Sequence, residues 1–199
     1  MKLLRLEFFK CRRRKVLLVC AGVLGAQLLW FGAYLTRQDE ADLVQGWMLL
    51  LYNLAMIDAI VLPVSVATLA SKSCELEHKG STLKLLETMA SPGSLYGAKL
   101  AWGALVLAGL LAVRSALFLA MGLVMAFPGG VPWGRFGLFT LLSWAVSMMV
   151  YALQQGLSLR FANQAAALVC GIFGSFAGIM SMLFPAWLTR CVPWGYYGL

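Results

Sequence analysis

Charged residues are scarce in this chain of 199 residues, since only 12% are Asp, Glu, Lys or Arg, whereas soluble domains carry about a quarter. Hydrophobic residues make up 61% of the chain. A soluble domain has no way to bury so large an apolar share, so this composition is typical of a protein whose solvent is a lipid bilayer. We therefore predict an all-α, polytopic membrane protein.

The chain also lacks the motifs of metal and catalytic sites. His78 is the only histidine, and the five cysteines form no CxxC pair. No HExxH, GxSxG or paired-carboxylate motif is present, and these are the patterns that place a nucleophile, a base or a metal ligand set. Residues 78–84, HKGSTLK, lack the upstream glycine and the Gly-Lys-Ser/Thr order of a phosphate-binding loop. We expect no catalytic residue, no metal site and no ATPase activity of its own.

Five apolar runs are long enough to cross a bilayer, which needs about 20 helical residues at 1.5 Å each. The first has no charged residue, and the second and third contain one charge each. The sequence therefore predicts one transmembrane domain over 1–199 with five transmembrane helices. The predicted spans are about 16–35, 47–70, 100–127, 138–157 and 164–184.

Lysine and arginine are distributed unevenly between the two predicted sides of the membrane. Residues 1–15 hold seven of them, residues 71–99 hold four, and Arg160 lies in the short fourth connection. Because basic loops stay on the cytoplasmic side, the N-terminus is predicted to be cytoplasmic. The basic stretch CRRRK adjoins a span and contains no aromatic residue, so we interpret it as a topology signal that contacts membrane lipid, not nucleic acid. Three basic residues are predicted outside: Arg37, Arg135 and Arg190.

The N-terminal residues 1–15 have the pattern of a helix lying in the membrane interface. Leu4, Phe8 and Cys11 recur at helical spacing between basic residues, which is typical of an interfacial amphipathic helix. A solvated tail is the alternative interpretation.

Residues 74–99 form the largest predicted cytoplasmic connection. Gly80 can end a helix that extends from the second span, and Ser81 can cap the next. Between residues 82 and 90, leucine and methionine recur every three residues, which predicts a two-turn amphipathic helix. Ser91 and Pro92 match the cap and first position of the next helix. A helix this short is marginal alone, so it lies either on the lipid or in a groove of another protein.

Asp58 and Arg114 are the two charges inside predicted spans, and both lie near mid-depth. A lone charge at that depth costs several kcal/mol, so we predict that the two side chains face each other or a shared wet cavity. The pair is either purely structural or part of a substrate path. In the fifth span, three glycines form a small-residue stripe for helix packing: Gly171, Gly174 and Gly178.

The order Glu77, Gly80, Lys84, Leu86, Pro92, Ser94, Tyr96 and Lys99 resembles the loop between spans two and three of type-two ATP-binding-cassette export permeases. The opening LRLEFFKCRRRK is similar to that of permease subunits in lantibiotic self-immunity exporters. The resemblance implies that 82–90 is a coupling helix seated in an ATPase subunit. The implied coupling residues are Glu77, Gly80, Leu83, Lys84, Leu86, Glu87 and Pro92.

The resemblance also implies a function and an assembly. The chain would be the permease subunit of an exporter in the bacterial cytoplasmic membrane, expelling a lantibiotic-like peptide or a lipid-like molecule. It would work with two ATPase subunits, which bind ATP and Mg, and with a second permease subunit, identical or different. The alternative hypothesis is a non-transporting membrane adaptor or sensor that recruits a cytoplasmic partner through residues 74–99.

One feature departs from the family pattern. Six spans are usual there, whereas this sequence shows five and stops at CVPWGYYGL. Truncation, a re-entrant hairpin within the fifth run, and a missing last span are the three explanations that the sequence leaves open.

Overall fold

The computed structural model describes residues 2–12, 16–38, 44–79, 91–161 and 163–198, and these contain helices and turns but no strand. The helices follow one another in chain order. They are α1 (Lys2–Arg12), α2 (Val16–Leu35), α3 (Gly46–Lys79), α4 (Pro92–Val124), α5 (Trp133–Arg160), α6 (Gln164–Ser181), the single turn α7 (Ala186–Thr189) and a 3-10 helix (Pro193–Tyr197).

Five of the described helices, α2 to α6, are long and apolar enough to cross a membrane. This confirms the predicted fold class. Helix α3 lies at the centre of the bundle, where it packs against α2, α4, α5 and α6. It is the most buried of the five, and α2 is the least.

Three of the helices extend beyond the predicted spans at one end of the bundle. Helix α3 continues to Lys79, α4 already begins at Pro92, and α5 continues to Arg160. At 1.5 Å per residue, α3 is about 50 Å long, well beyond a hydrocarbon core of about 30 Å. Residues 71–79 contain neither glycine nor proline, so nothing in the backbone ends the helix where the apolar run ends. The predicted loop 74–99 is therefore helical at both flanks, and residues 80–90 lie outside the described residues.

This end of the bundle, where Lys79, Pro92, Arg160 and Gln164 lie, is called the basic end below. The other end is called the opposite end. Its core is aromatic: Trp47 meets the ring of Phe127 edge-on at 5.7 Å and that of Phe136 at 6.2 Å. These rings close the bundle where α3 begins and α4 ends.

The segment after α6 folds back onto the bundle. The 3-10 helix packs against α3, α5 and α6, and the Tyr197 hydroxyl donates to Ser147 Oγ at 3.0 Å. Thr189 Oγ1 donates to the Ser181 carbonyl at 2.7 Å. Helix α6 itself is one continuous helix of 18 residues, so a re-entrant hairpin within the fifth run is wrong.

Helix α1 covers most of the segment predicted to lie in the membrane interface. Its predicted apolar face is divided, because Leu4 packs against the core of the bundle whereas Phe8 is exposed. Helix α1 contacts mainly α4, with fewer contacts to α2 and α3. The helix is therefore docked on the protein and does not rest on lipid alone.

Candidate functional site

The middle of the bundle contains a buried polar cluster. Asp58 of α3 and Arg114 of α4 are each 1% exposed, and Arg114 Nη1 donates to Asp58 Oδ2. Gln27 of α2 donates from Nε2 to the other carboxylate oxygen, Oδ1, at 2.9 Å. One carboxylate thus links three spans. The two charges that the sequence places at equal depth are in contact in the structure.

The guanidinium of Arg114 has hydrogen-bonding capacity to spare. Its Cζ lies 5.5 Å from the centroid of the Phe139 ring, and its Nε and Nη2 have no hydrogen-bond partner within the described parts of the chain. Gln27 Oε1 likewise has no hydrogen-bond partner among the described residues. Because buried polar groups are almost always paired, the cluster can accept one more polar group, such as a water molecule or a carbonyl oxygen.

A second buried cluster lies at the basic end. Lys99 of α4 is 1% exposed and Glu7 of α1 is 3% exposed, and Lys99 Nζ lies 3.1 Å from Glu7 Oε2. Lys99 Nζ also donates to the backbone carbonyl of Ser73 in α3 at 2.8 Å. The other carboxylate oxygen of Glu7 accepts from Lys10 at 3.2 Å. A single ammonium group therefore joins α1, α3 and α4.

Helix α5 supports this second cluster from the other side. The Tyr151 hydroxyl lies 3.5 Å from both Ser73 Oγ and the Lys99 carbonyl. Its ring packs directly on Gly103 of α4, where any added Cβ would collide with it. Tyr96 Oη donates to the Ala152 carbonyl at 2.9 Å. The first turns of α4 are thus held by three neighbouring helices.

The predicted coupling residues lie mostly beyond what the structure describes. Pro92 is the exception, because it is the first residue of α4, and Ser91 caps that helix with its side chain accepting from Ser94 N at 3.4 Å. This confirms the predicted helix start. Glu77 belongs to α3, but its side chain is outside the description. The remaining five fall within 80–90, outside the described residues: Gly80, Leu83, Lys84, Leu86 and Glu87.

Other parts of the same chain pack closely against the three glycines of α6. A side chain at Gly171 would collide with Ala67 of α3 and with Gln154 of α5, and one at Gly174 would collide with the indole of Trp194. At Gly178 the obstacle is the backbone of Trp194. The stripe accommodates α3, α5 and the 3-10 helix.

Sequence reasoning missed the partners that complete both clusters. Gln27 is the one polar side chain inside an otherwise apolar run, and its mid-span position could have pointed to Asp58. Glu7 is the one acid among the seven bases of residues 1–15, which was a signal for a specific contact. Lys99 carried no such signal, because it was assigned to a loop.

An apolar groove of about 410 Å³ lies between α4 and α5. Its walls include Trp133, Phe136 and Trp144, and its polar lining is Ser115 and Thr140, whose hydroxyls are 2.6 Å apart. Since these hydroxyls bond each other, the groove presents an almost entirely apolar surface, as expected for a wall that faces acyl chains.

Comparison with known proteins adds the family. Residues 3–178 match the sequence profile described as ABC-2 family transporter protein. The chain belongs to this family. The matched range includes nearly all of α1, the whole of α2 to α5 and most of α6, and with them both polar clusters. No curated protein and no solved structure matches the chain. Membership implies a multi-pass membrane permease of an ABC transporter, a transport subunit that usually has no ATPase of its own and works with an ABC ATPase.

Proposed function

We propose that this ABC-2 permease is the membrane subunit of an exporter that expels an amphipathic, lantibiotic-like peptide or a lipid-like molecule from the bacterial cytoplasmic membrane. The observation that carries the proposal is the family match over residues 3–178. The substrate class is supported by the similarity of the opening LRLEFFKCRRRK to that of lantibiotic self-immunity permeases.

The basic end is the cytoplasmic end in this proposal. Residues 1–15 and 71–99 together hold eleven lysines and arginines, and the helix ends at Lys79, Pro92 and Arg160 all lie on this side. Positively charged connections are retained in the cytoplasm during insertion. An ATPase, which needs cytoplasmic ATP and Mg, would therefore meet the loop between α3 and α4.

Coupling would proceed through the amphipathic segment 82–90. Two ATPase subunits, one for each of two permease subunits, would hold this segment in a groove, the mode by which short amphipathic helices gain stability from a partner. ATP-driven closure of the ATPase pair would displace the segment, and the long helices α3 and α4 would transmit the displacement into the membrane. The second permease subunit is a copy of this chain or a related one.

The mid-membrane cluster is structural in this proposal. Asp58 receives hydrogen bonds from two other spans, so it holds α2, α3 and α4 at one depth. Replacing an arginine and a carboxylate by apolar residues is often neutral when both change together, whereas removal of one partner leaves a buried charge. The cluster would therefore keep the spans aligned while they reorient.

The decisive experiment is purification of the tagged chain with its ATPase and reconstitution into proteoliposomes. ATP turnover is measured against a panel of lantibiotics, linear cationic peptides and lipids. We expect one lantibiotic to stimulate turnover and to be removed from the membrane. The variant Leu83→Ser/Leu86→Ser should abolish the stimulation, because serine removes the apolar face of the coupling segment.

The matched control is Leu183→Ser, which makes the same change at a highly exposed leucine beyond α6 and should leave stimulation intact. Co-purification with an ATPase that no member of the panel stimulates would contradict export of these substrates. Recovery with a cytoplasmic protein that is not an ATPase would instead support the adaptor or sensor hypothesis.

A further inference from the structure

We propose that Glu7 and Lys99 are positioning residues for coupling: their buried ion pair ties α1 to the base of the loop 80–90. As a result, α1, the end of α3 and the start of α4 move as one body when the ATPase displaces that loop. The inference rests on the proposed function, because it assigns a role to α1 within ATP-driven export.

The geometry of Lys99 carries the first step. Its ammonium lies 3.1 Å from Glu7 Oε2 and donates at 2.8 Å to the Ser73 carbonyl, and these two partners belong to two other helices. Hydrogen bonds of this kind are lost when the atoms separate by more than about 0.5 Å. Any sliding of α1 or α3 along α4 would therefore break the bonds of a side chain that is 1% exposed.

Because both charged groups are buried, the loss of these bonds costs more free energy than it would at the surface. An exposed ion pair contributes little and can open freely, but an ammonium removed from water must keep its partners or be re-solvated. Glu7 is only 3% exposed, so its carboxylate is under the same constraint. The low-energy response to a force on the loop is movement of the three segments together.

The cluster lies close to the place where that force would enter. Ser73 and Lys99 lie about two turns from Lys79 and Pro92, the helix ends that flank residues 80–90. A coupling segment of about nine residues has little stiffness of its own. The stiffness must come from its flanks, and at that level the structure joins α3 and α4 through Lys99, Ser73 and Tyr151.

A simpler role for α1 is that of a lipid anchor. Leu6 and Phe9 are 44% and 65% exposed, which suits insertion into the membrane interface. An anchor needs stability but no fixed relation to the loop during the transport cycle. The two roles therefore differ in whether α1 stays beside α4 in every state.

A cross-linking experiment on the permease with its ATPase separates them. The variant Glu7→Cys/Lys99→Cys is made after the five native cysteines are replaced, and a short bismaleimide joins the two positions. Before cross-linking, we expect the amount of exported peptide per ATP to fall about three- to tenfold, the range that coupling residues typically give. The cross-link should restore it, because a covalent tie replaces the lost ion pair. The peptide used is the one that stimulates the wild type most strongly.

The control pair is Ser147→Cys/Tyr197→Cys, whose hydroxyls are 3.0 Å apart and which joins α5 to the 3-10 helix, outside the three segments that move together. Cross-linking there should leave export per ATP at its uncross-linked value. Glu7→Gln provides a milder second variant if the double cysteine variant folds poorly, and it should lower the same ratio by a smaller factor.

Cross-linking yield is also compared between nucleotide-free and vanadate-trapped complexes, which needs no substrate. Equal yields are expected for segments that move together. The inference is overturned if the yield changes severalfold between the two complexes, or if the cross-link arrests ATP turnover. It is also overturned if the double cysteine variant, before cross-linking, has a lowered unfolding temperature but unchanged export per ATP. If no peptide stimulates the wild type, the proposed substrate class fails, and the yield comparison still decides whether α1 stays with the loop.

Discussion

Among the described residues, two buried ion pairs lie at different depths in the bundle. In the middle of the bundle, Asp58 uses both carboxylate oxygens, while two nitrogens of Arg114 have no hydrogen-bond partner among the described residues. At the basic end, Lys99 links its own helix α4 to α1 and α3, while the acid, Glu7, is shared with a second base, Lys10. The centre of the first cluster is an acceptor, and that of the second is a donor. The difference shows that similar pairs can align spans in one place and tie a peripheral helix in another.

The largest loss of stability is expected from substitution of Asp58. We expect Asp58→Asn to lower the free energy of unfolding in mixed micelles by about 3–5 kcal/mol, because Arg114 stays charged and loses its counter-ion in a nonpolar environment. Arg114→Gln should cost less, since a lone carboxylate can be neutralised by a proton. Denaturant titration followed by tryptophan fluorescence measures both.

The double variant Asp58→Asn/Arg114→Gln tests the pairing itself. It should be more stable than Asp58→Asn alone, because no unpaired charge remains in the bundle. If the losses of the two single variants simply add, then the two side chains do not stabilise each other.

At the basic end, a comparison of the two lysines that contact Glu7 tests how burial affects the strength of each contact. Lys99→Met should lower the free energy of unfolding by about 2–3 kcal/mol, since it removes hydrogen bonds of a fully buried charged group. Lys10→Met should cost less than about 1 kcal/mol, because a partly exposed pair on one helix contributes little. The same titration measures both, and 0.5 M salt should weaken only the Lys10 contribution. Equal losses for the two lysines would contradict the burial argument.

The smallest expected effect concerns the hydrogen bond between Gln27 and Asp58. Gln27→Leu should lower the free energy of unfolding by about 1 kcal/mol, the scale measured for side-chain hydrogen bonds between membrane helices. A matched Leu28→Ala variant in the same helix controls for lost packing. A loss near that of Asp58→Asn would mean that α2, not α4, supplies the main support of the carboxylate.

Much of the fold was predictable because a bilayer imposes simple rules on sequence. Five apolar runs predicted five spans, and the described residues contain five helices able to cross a membrane. The Ser91-Pro92 signal correctly predicted the start of α4. Helix lengths were underestimated, because hydropathy marks where lipid contact ends while backbone hydrogen bonding continues to Lys79 and from Pro92.

The candidate sites were predictable to different degrees. Asp58 and Arg114 could be paired from sequence, since charges in apolar runs at the same depth have few other partners. Glu7 and Lys99 could not, because both lie in segments where charge is ordinary and water is near. Likewise, the glycines of α6 predicted close packing, but not that Trp194 of the same chain packs on two of them.

The sequence by itself determined that this chain is a helical membrane protein with five apolar runs of membrane-spanning length, a basic side and a pair of charges at mid-depth, because the cost of burying charge and backbone in lipid acts locally along the chain. Only the tertiary structure decided that α1 docks through Glu7, that Lys99 bridges three helices, and that the segment after α6 folds back onto the bundle. Those contacts depend on distances between residues far apart in sequence, and periodicity and composition contain no information about such distances.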